Sequence, residues 1–145
     1  MTEQLAAAAP AATTTRTTPS FLAALTRTEL FMVAGTGLIL LTDLIFIPLS
    51  GYGVSPLMWA ASAIAVAAVL LKNRLPAGVA ANYKTILLGL GALITLVAVR
   101  WLVGDLVWLG MNPKYFDAEY LIGMVGTYTG SALVAFSTWQ LFKGR

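Results

Sequence analysis

Four long apolar stretches, almost free of charge, constrain this chain more than any other feature of its sequence. They cover about residues 30–49, 54–72, 85–107 and 120–142. A hydrocarbon core about 30 Å thick needs roughly 20 helical residues to cross it. Backbone groups in lipid must form their hydrogen bonds within their own segment. Each stretch is therefore predicted to be a transmembrane helix, with flanking residues extending the second, which has the shortest apolar part.

Composition agrees with a membrane protein and excludes many kinds of chemistry. Hydrophobic residues make up 59% of the chain and charged residues 10%, whereas soluble domains carry about 25% charged residues. The sequence has neither cysteine nor histidine, which excludes disulfides, thiolate catalysis and imidazole-bound metals or haem. We expect no enzyme activity and no cofactor. The net charge of +3, without a clustered basic face, argues against nucleic-acid binding.

The N-terminal segment differs from the rest of the chain. Residues 1–19 are rich in alanine and threonine and contain two prolines, a composition typical of disorder. Threonines occupy the place where a signal peptide would have its apolar core. The sequence predicts a disordered cytoplasmic tail over residues 1–19 and one transmembrane domain over residues 20–145.

Basic residues concentrate on one side of the predicted membrane domain. They precede the first helix, lie between the second and third, and follow the fourth: Arg16, Arg27, Lys72, Arg74, Lys84, Lys143 and Arg145. Because cytoplasmic loops are enriched in lysine and arginine, both termini are predicted to be cytoplasmic. Aromatic residues cluster near the other side, as expected at a membrane interface: Trp101, Trp108, Tyr115, Phe116 and Tyr120. We expect a multi-pass protein of the inner or plasma membrane.

The two predicted hairpins resemble each other weakly. The first helix of each begins with closely spaced glycines, Gly35-Thr36-Gly37 and Gly89-Leu90-Gly91. The second helix of each ends in basic residues. The predicted fold class is therefore all-α, with four transmembrane helices arranged as two parallel-repeat helical hairpins.

Two charged residues fall inside the predicted helices. Asp43 lies about 20 Å from the cytoplasmic end of helix one, and Arg100 lies at a similar depth in helix three. A charge inside the hydrocarbon is unfavourable and usually faces a cavity or a partner. We predict that the two side chains pair. The alternatives are that Asp43 has a structural role and that Arg100 extends to the outer interface beside Asp105.

Other residues invite either a functional or a structural interpretation. The basic groups at the ends of helices two and four, Lys72, Arg74, Lys143 and Arg145, suit a phosphate headgroup, although they also mark topology. Gly126 and Gly130 give helix four a face of small residues. Packing within the bundle is the first interpretation of this face, and a homo-oligomer is the second.

The order of these features resembles that of the GtrA-like family of small four-helix membrane proteins. The resemblance covers about residues 30–145. It rests on the helix-one start Leu30–Gly35, on Asp43, on the turn Gly51–Leu57, on the end of helix two at Leu71–Arg74 and on the aromatic, basic segment Phe136–Lys143. The sequence departs from the family at Val69-Leu70, where members usually carry asparagine and phenylalanine, and aromatic residues are missing after Arg74.

The resemblance implies movement of polyprenyl-phosphate-linked monosaccharides across the membrane for cell-surface glycan synthesis. The partners it implies are that lipid and a membrane glycosyltransferase. Such a path needs polar groups in the bilayer and cations that collect the phosphate. The candidate substrate-binding residues are Asp43, Arg100, Lys72, Asn73, Arg74 and Lys143.

Two other functions fit the same sequence. The chain could be a non-catalytic accessory or anchoring subunit of a larger membrane complex, with Asp43 and Arg100 acting as an internal staple. A proton-coupled small exporter would use the carboxylate in helix one. A gene for a polyprenyl-phosphate glycosyltransferase beside this one would favour translocation, whereas genes for subunits of a membrane complex would favour the anchor.

Overall fold

The computed structural model describes residues 24–50, 53–115 and 117–144, and every regular element in these ranges is a helix. The predicted tail, Phe116 and Arg145 lie outside the described residues. The α-helices are α1 (Arg27–Ser50), α2 (Pro56–Leu70), α3 (Ala77–Ala81), α4 (Tyr83–Met111) and α5 (Ala118–Phe142), and short 3₁₀ turns occupy Lys72–Arg74 and Pro113–Tyr115. Each predicted stretch contains one long helix, with ends displaced by four residues or fewer.

Among the described residues, three helices are long and apolar enough to cross a membrane: α1 as far as Phe46, α4 and α5. Helix α2 is more apolar than these three but has only 15 residues, which at about 1.5 Å per residue is about 22 Å. The described part of the protein is therefore all-helical, and its three long apolar helices are compatible with a multi-pass membrane protein.

Short polar motifs explain where the helices begin. Thr26 and Glu29 form a capping box at the start of α1: Glu29 Oε2 accepts a bond from Thr26 N at 2.9 Å, and Thr26 Oγ1 accepts one from Glu29 N at 3.2 Å. Ser55 caps α2 by accepting a bond from Met58 N, and Pro56 supplies a backbone angle suited to the first turn. Asp117 caps α5 by accepting a bond from the backbone N–H of its third residue.

Contacts between helix ends fix an up-down-up-down bundle. Lys72, just after α2, bonds to Glu29 at the start of α1, so α2 runs antiparallel to α1. Tyr83 at the start of α4 bonds to the same Glu29, so α4 runs parallel to α1. Gln140 near the end of α5 accepts a bond from Thr28, so α5 returns antiparallel. Helices α1 and α4 each pack mainly on α2 and α5, which closes a four-helix ring.

The bundle consequently has two chemically different ends. The basic end holds the starts of α1 and α4 and the ends of α2 and α5, with the cations Arg27, Lys72, Arg74, Lys84 and Lys143. The acidic end holds the opposite helix termini. It carries three acidic residues, Asp105, Asp117 and Glu119, and one basic residue, Lys114. Of the basic residues that the sequence assigned to one side of the domain, those that the structure describes therefore lie together at one end of the bundle.

Helices α1 and α5 pack closely because glycines face each other. A Cβ atom on Gly35 would stand 2.6 Å from the carbonyl oxygen of Gly130, and a Cβ on Gly130 would stand 2.6 Å from the carbonyl oxygen of Gly35. Gly126 lies against Thr42 in the same interface. Gly126 and Gly130 therefore serve packing within the bundle, and a contact between copies of the chain would need a different surface.

The centre of the bundle is filled by apolar side chains from all four long helices. The largest of them are fully or almost fully buried: Met32, Ile39, Met58, Leu87, Ile94, Val69 and Val134. Large apolar side chains also cover the outside, among them Leu44, Leu96 and Val125, each more than half exposed. Such an outer surface is suited to contact with lipid tails.

Candidate functional site

Glu29 is the most densely bonded side chain at the basic end. Its Oε2 accepts bonds from Thr26 N at 2.9 Å, Thr26 Oγ1 at 3.0 Å and Lys72 Nζ at 2.9 Å. Its Oε1 accepts a bond from the Tyr83 hydroxyl at 2.9 Å. The residue is only 7% exposed. One carboxylate thus ties together the starts of α1 and α4 and the end of α2.

Lys72 belongs to this network. Besides its ion pair with Glu29, its Nζ donates to the carbonyl oxygen of Ala24 at 3.2 Å. It is the cation of the one ion pair in the described part of the chain. The structure therefore gives Lys72 a structural role that its position in the sequence did not reveal.

An open cavity of about 580 Å³ lies beside Glu29. Helix α1 contributes Arg27 and Thr28, helix α4 contributes Tyr83 and Lys84, and helix α5 contributes Gln140. Arg27 and Lys84 are exposed, whereas Thr28 is buried. The cavity has the size of a small-ligand site and stands where three helices meet.

The chemistry of this cavity suits an anionic group that also carries hydroxyls. Arg27 and Lys84 supply two cations able to bind phosphate oxygens. The Gln140 side chain, whose oxygen accepts a bond from Thr28, can donate its amide N–H groups to sugar hydroxyls. Apolar side chains of Leu87 and Leu141 complete the lining, so an amphipathic molecule could keep contact with lipid.

Three other residues predicted to bind substrate at this end do not line the cavity. Asn73 and Arg74 are exposed in the 3₁₀ turn after α2. Lys143 is also exposed, and its Nζ lies 4.5 Å from the centroid of the Trp139 ring, in a cation–π contact. These residues remain candidates for a first contact with a charged headgroup at the surface.

The residues that line the cavity were not predicted as a site from the sequence. Arg27 and Lys84 appeared only among the basic residues that mark topology, and Glu29 was not singled out. The motif Thr26-x-x-Glu29 was a recognisable capping box that would have placed Glu29 at the start of α1. Nothing in the sequence indicated that Gln140, more than a hundred residues away, lies beside them.

Asp43 is buried at 3% exposure and accepts a hydrogen bond from Val54 N at 2.8 Å through Oδ1. Val54 belongs to the segment leading into α2, and it lies at the level of Asp43, well before the end of α1. A backbone N–H at this depth needs a partner inside the protein. Asp43 supplies one and explains how the short α2 starts inside the bundle.

The predicted ion pair between Asp43 and Arg100 is wrong. The ion pair found within the described ranges joins Lys72 and Glu29, and Arg100 is exposed on the outer surface of α4. Similar depth did not bring the two side chains together, because depth does not fix the direction in which a residue points around the helix axis.

A third buried carboxylate, Asp105, lies at the acidic end; the sequence placed it near the outer face, as a possible neighbour of Arg100. Asp105 is 8% exposed. Its Oδ2 accepts a bond from the Tyr128 hydroxyl at 2.6 Å, and its Oδ1 accepts a longer one from the Tyr120 hydroxyl at 3.4 Å. These bonds link α4 to α5. In the described ranges, no three or more metal-ligating side chains converge on one point.

Comparison with known proteins adds no relative. No family model matches the sequence, and neither the curated proteins nor the solved structures searched gave a match.

Proposed function

We propose that this protein binds the headgroup of a polyprenyl-phosphate-linked monosaccharide at the basic end and moves it between the leaflets of the membrane. The observation that supports this most directly is the cavity bounded by Arg27, Lys84, Glu29 and Gln140. It combines cations with hydrogen-bonding groups in an otherwise apolar bundle. A phosphate and a sugar are the two parts of a headgroup that such a lining would recognise.

The proposal includes a topology. Four helices cross the membrane, α2 being the shortest, and both termini lie in the cytoplasm with the basic end. The headgroup would then be collected on the cytoplasmic side, where the lipid-linked sugar is made. Reporter fusions after Gly53 and after Arg145 should report opposite sides of the membrane. Finding both on one side would exclude this topology.

The route between leaflets cannot run through the closed bundle. Met32, Ile39 and Val134 fill its centre with no exposed surface, and the Asp43 carboxylate is engaged by Val54. The helices must separate, or the headgroup must pass along the outside of α4. Arg100 is exposed on that side and is the cation that a phosphate would meet there.

A reconstituted translocation assay tests the proposal. Protein in liposomes should move a polyprenyl-phosphate-linked monosaccharide to the opposite leaflet faster than empty liposomes do. The double variant Arg27→Gln/Lys84→Gln should slow movement at least about tenfold, because both cavity cations are lost. Arg74→Gln, an exposed cation outside the cavity, is the matched control and should have a smaller effect. Normal transport by the double variant would exclude the cavity as the collecting site.

The second candidate is an accessory subunit that anchors a membrane glycosyltransferase or another larger complex. The observation in its favour is that Glu29, Asp43 and Asp105 are all buried and engaged in contacts within the chain, which suits a static bundle. If the wild-type protein fails to translocate any lipid-linked sugar but co-purifies with a membrane glycosyltransferase, the anchoring function replaces translocation.

A further inference from the structure

Arg100 stands on the outer face of a membrane helix, without a partner among the residues that the structure describes. It is exposed, and within the described part of the chain it forms no ion pair and no hydrogen bond through its guanidinium. It lies 11 residues before Met111, which is about 16 Å along the helix axis. A guanidinium at this depth is unfavourable in lipid tails and needs an anion or a route to the interface.

A notch in the surface of α4 adjoins this guanidinium. Gly104 lies one turn beyond Arg100 and one turn before Trp108, so the three residues share one side of the helix. No heavy atom outside its own helical backbone and chain neighbours lies within 4 Å of where a Gly104 Cβ would stand. The missing side chain leaves an open groove of about 580 Å³, lined by Arg100, Trp101, Val103, Gly104, Asp105 and Trp108.

The groove combines three features of a lipid headgroup site. The guanidinium offers a planar pair of donors to phosphate oxygens. Two indole rings, each about two-fifths exposed, provide the amphipathic surfaces found at headgroup level. Around them stand exposed apolar side chains, such as Leu96, Val103 and Val107, that acyl or isoprenoid chains would contact.

The carboxylate in the groove does not neutralise Arg100. Asp105 directs its oxygens to the hydroxyls of Tyr128 and Tyr120 on α5, and those donors offset part of its charge. Asp105 is also largely buried, whereas Arg100 is exposed. The outer part of the groove is therefore the cationic part.

We propose that this groove binds the phosphate of a membrane lipid, with the phosphate on Arg100, the headgroup over Gly104 and the rings of Trp101 and Trp108 on either side. A lipid fits better than a soluble phosphate compound because the groove opens on the apolar face of α4. The site is separate from the cavity at the basic end. Its occupation does not require translocation.

Native mass spectrometry of the detergent-purified protein tests this site with two lipids that differ only in the phosphate, phosphatidic acid and diacylglycerol. The measurements are made in the Arg27→Gln/Lys84→Gln background, so that the cations of the basic-end cavity do not contribute. Phosphatidic acid should bind at least about tenfold more tightly than diacylglycerol. Adding Arg100→Gln should remove this preference. Equal binding of the two lipids, or a preference that survives Arg100→Gln, would overturn the proposal.

Glycine variants test the groove without changing charge. Gly104→Leu should weaken binding of phosphatidic acid several-fold by filling the notch. Gly89→Leu, an equally open and exposed glycine near the other end of α4, should leave it unchanged. An equal effect of both variants would show that the notch is not the site.

Two further results would assign the groove to another ligand. If the soluble glycerol phosphate binds as tightly as phosphatidic acid, the ligand is not lipid-borne. If the protein forms a dimer that Arg100→Gln abolishes, the groove is a contact between copies of the chain. Because equilibrium binding is measured, failure here leaves the translocation assay as a separate test of the proposed function.

Discussion

The two ends of the bundle bury carboxylates in different ways. At the basic end, Glu29 is bonded to a cation, Lys72, as well as to a phenol, a hydroxyl and a backbone amide. Toward the acidic end, Asp43 is bonded to the backbone N–H of Val54, and Asp105 to two tyrosine hydroxyls. Arg100, the charged residue nearest in depth to Asp43, forms no ion pair in the described ranges.

This difference separates two uses of charge in a membrane bundle. A carboxylate paired with a cation and several donors fastens helices whose ends reach water. A carboxylate deeper in the bundle is satisfied by neutral donors, which avoids bringing a second charge into lipid. A cation left exposed at depth, as Arg100 is, contributes little to the fold and remains available to a ligand.

The largest loss of stability is expected when the carboxylate of Glu29, which pairs with Lys72, is removed. Glu29→Ala should lower the free energy of unfolding by about 3 kcal/mol, because Lys72 and Tyr83 lose their acceptor and the capping box is broken. Titration of mixed micelles with SDS would measure it. Glu119→Ala, an exposed acid in the first turn of α5, is the control and should cost less than about 1 kcal/mol. If both variants lose the same free energy of unfolding, the bonds of Glu29 stabilise the bundle no more than an exposed carboxylate does.

Substitution of Asp43 should cause the second-largest loss of stability. Asp43→Leu leaves the N–H of Val54 without its acceptor and should lower the free energy of unfolding by about 2 kcal/mol. Asp43→Asn keeps a carbonyl oxygen at the same place, so its loss should be smaller in the same titration. If asparagine destabilises as much as leucine, the negative charge matters and a cationic partner must act on Asp43.

A smaller loss is expected for the bond between α4 and α5. Tyr128→Phe removes the hydroxyl 2.6 Å from Asp105 and should cost about 1 kcal/mol, as hydrogen bonds between membrane helices do. Tyr120→Phe removes the longer 3.4 Å bond and should cost less. If Tyr120→Phe lost more stability than Tyr128→Phe, the shorter bond to Asp105 would not be the more stabilising one.

The smallest effect is expected for Arg100. Arg100→Gln should change the free energy of unfolding by less than about 0.5 kcal/mol, since an exposed side chain without a partner adds little to folding. The same variant should abolish phosphatidic acid preference in the groove, which separates binding from stability. A loss above about 2 kcal/mol would show that Arg100 has a structural partner. The contrast between the paired charge of Glu29 and the unpaired charge of Arg100 would then not hold.

Much of the fold followed from local sequence patterns. Apolar length predicted four helical stretches within a few residues of α1, α2, α4 and α5. Cap residues such as Ser55 and Asp117 mark two of the starts. The short helix α3 was not predicted, because five residues after Pro76 carry no periodic signal. The candidate site was predicted as Asp43 and Arg100 inside the helices together with polar residues at the basic end, and this set did not include Arg27 or Lys84, the cations that line the cavity.

The sequence alone determined which segments are helical and which end of the bundle carries the cations, because length, hydropathy and capping act between residues close in the chain. Tertiary structure decided the side-chain partners: that Glu29 meets Lys72 and Tyr83, that Asp43 meets Val54, and that Arg100 faces outward. These helices are apolar on every side, so periodicity does not reveal which face turns inward. That rotation was set by the close contact of Gly35 with Gly130 and by the packing of the other helices around it.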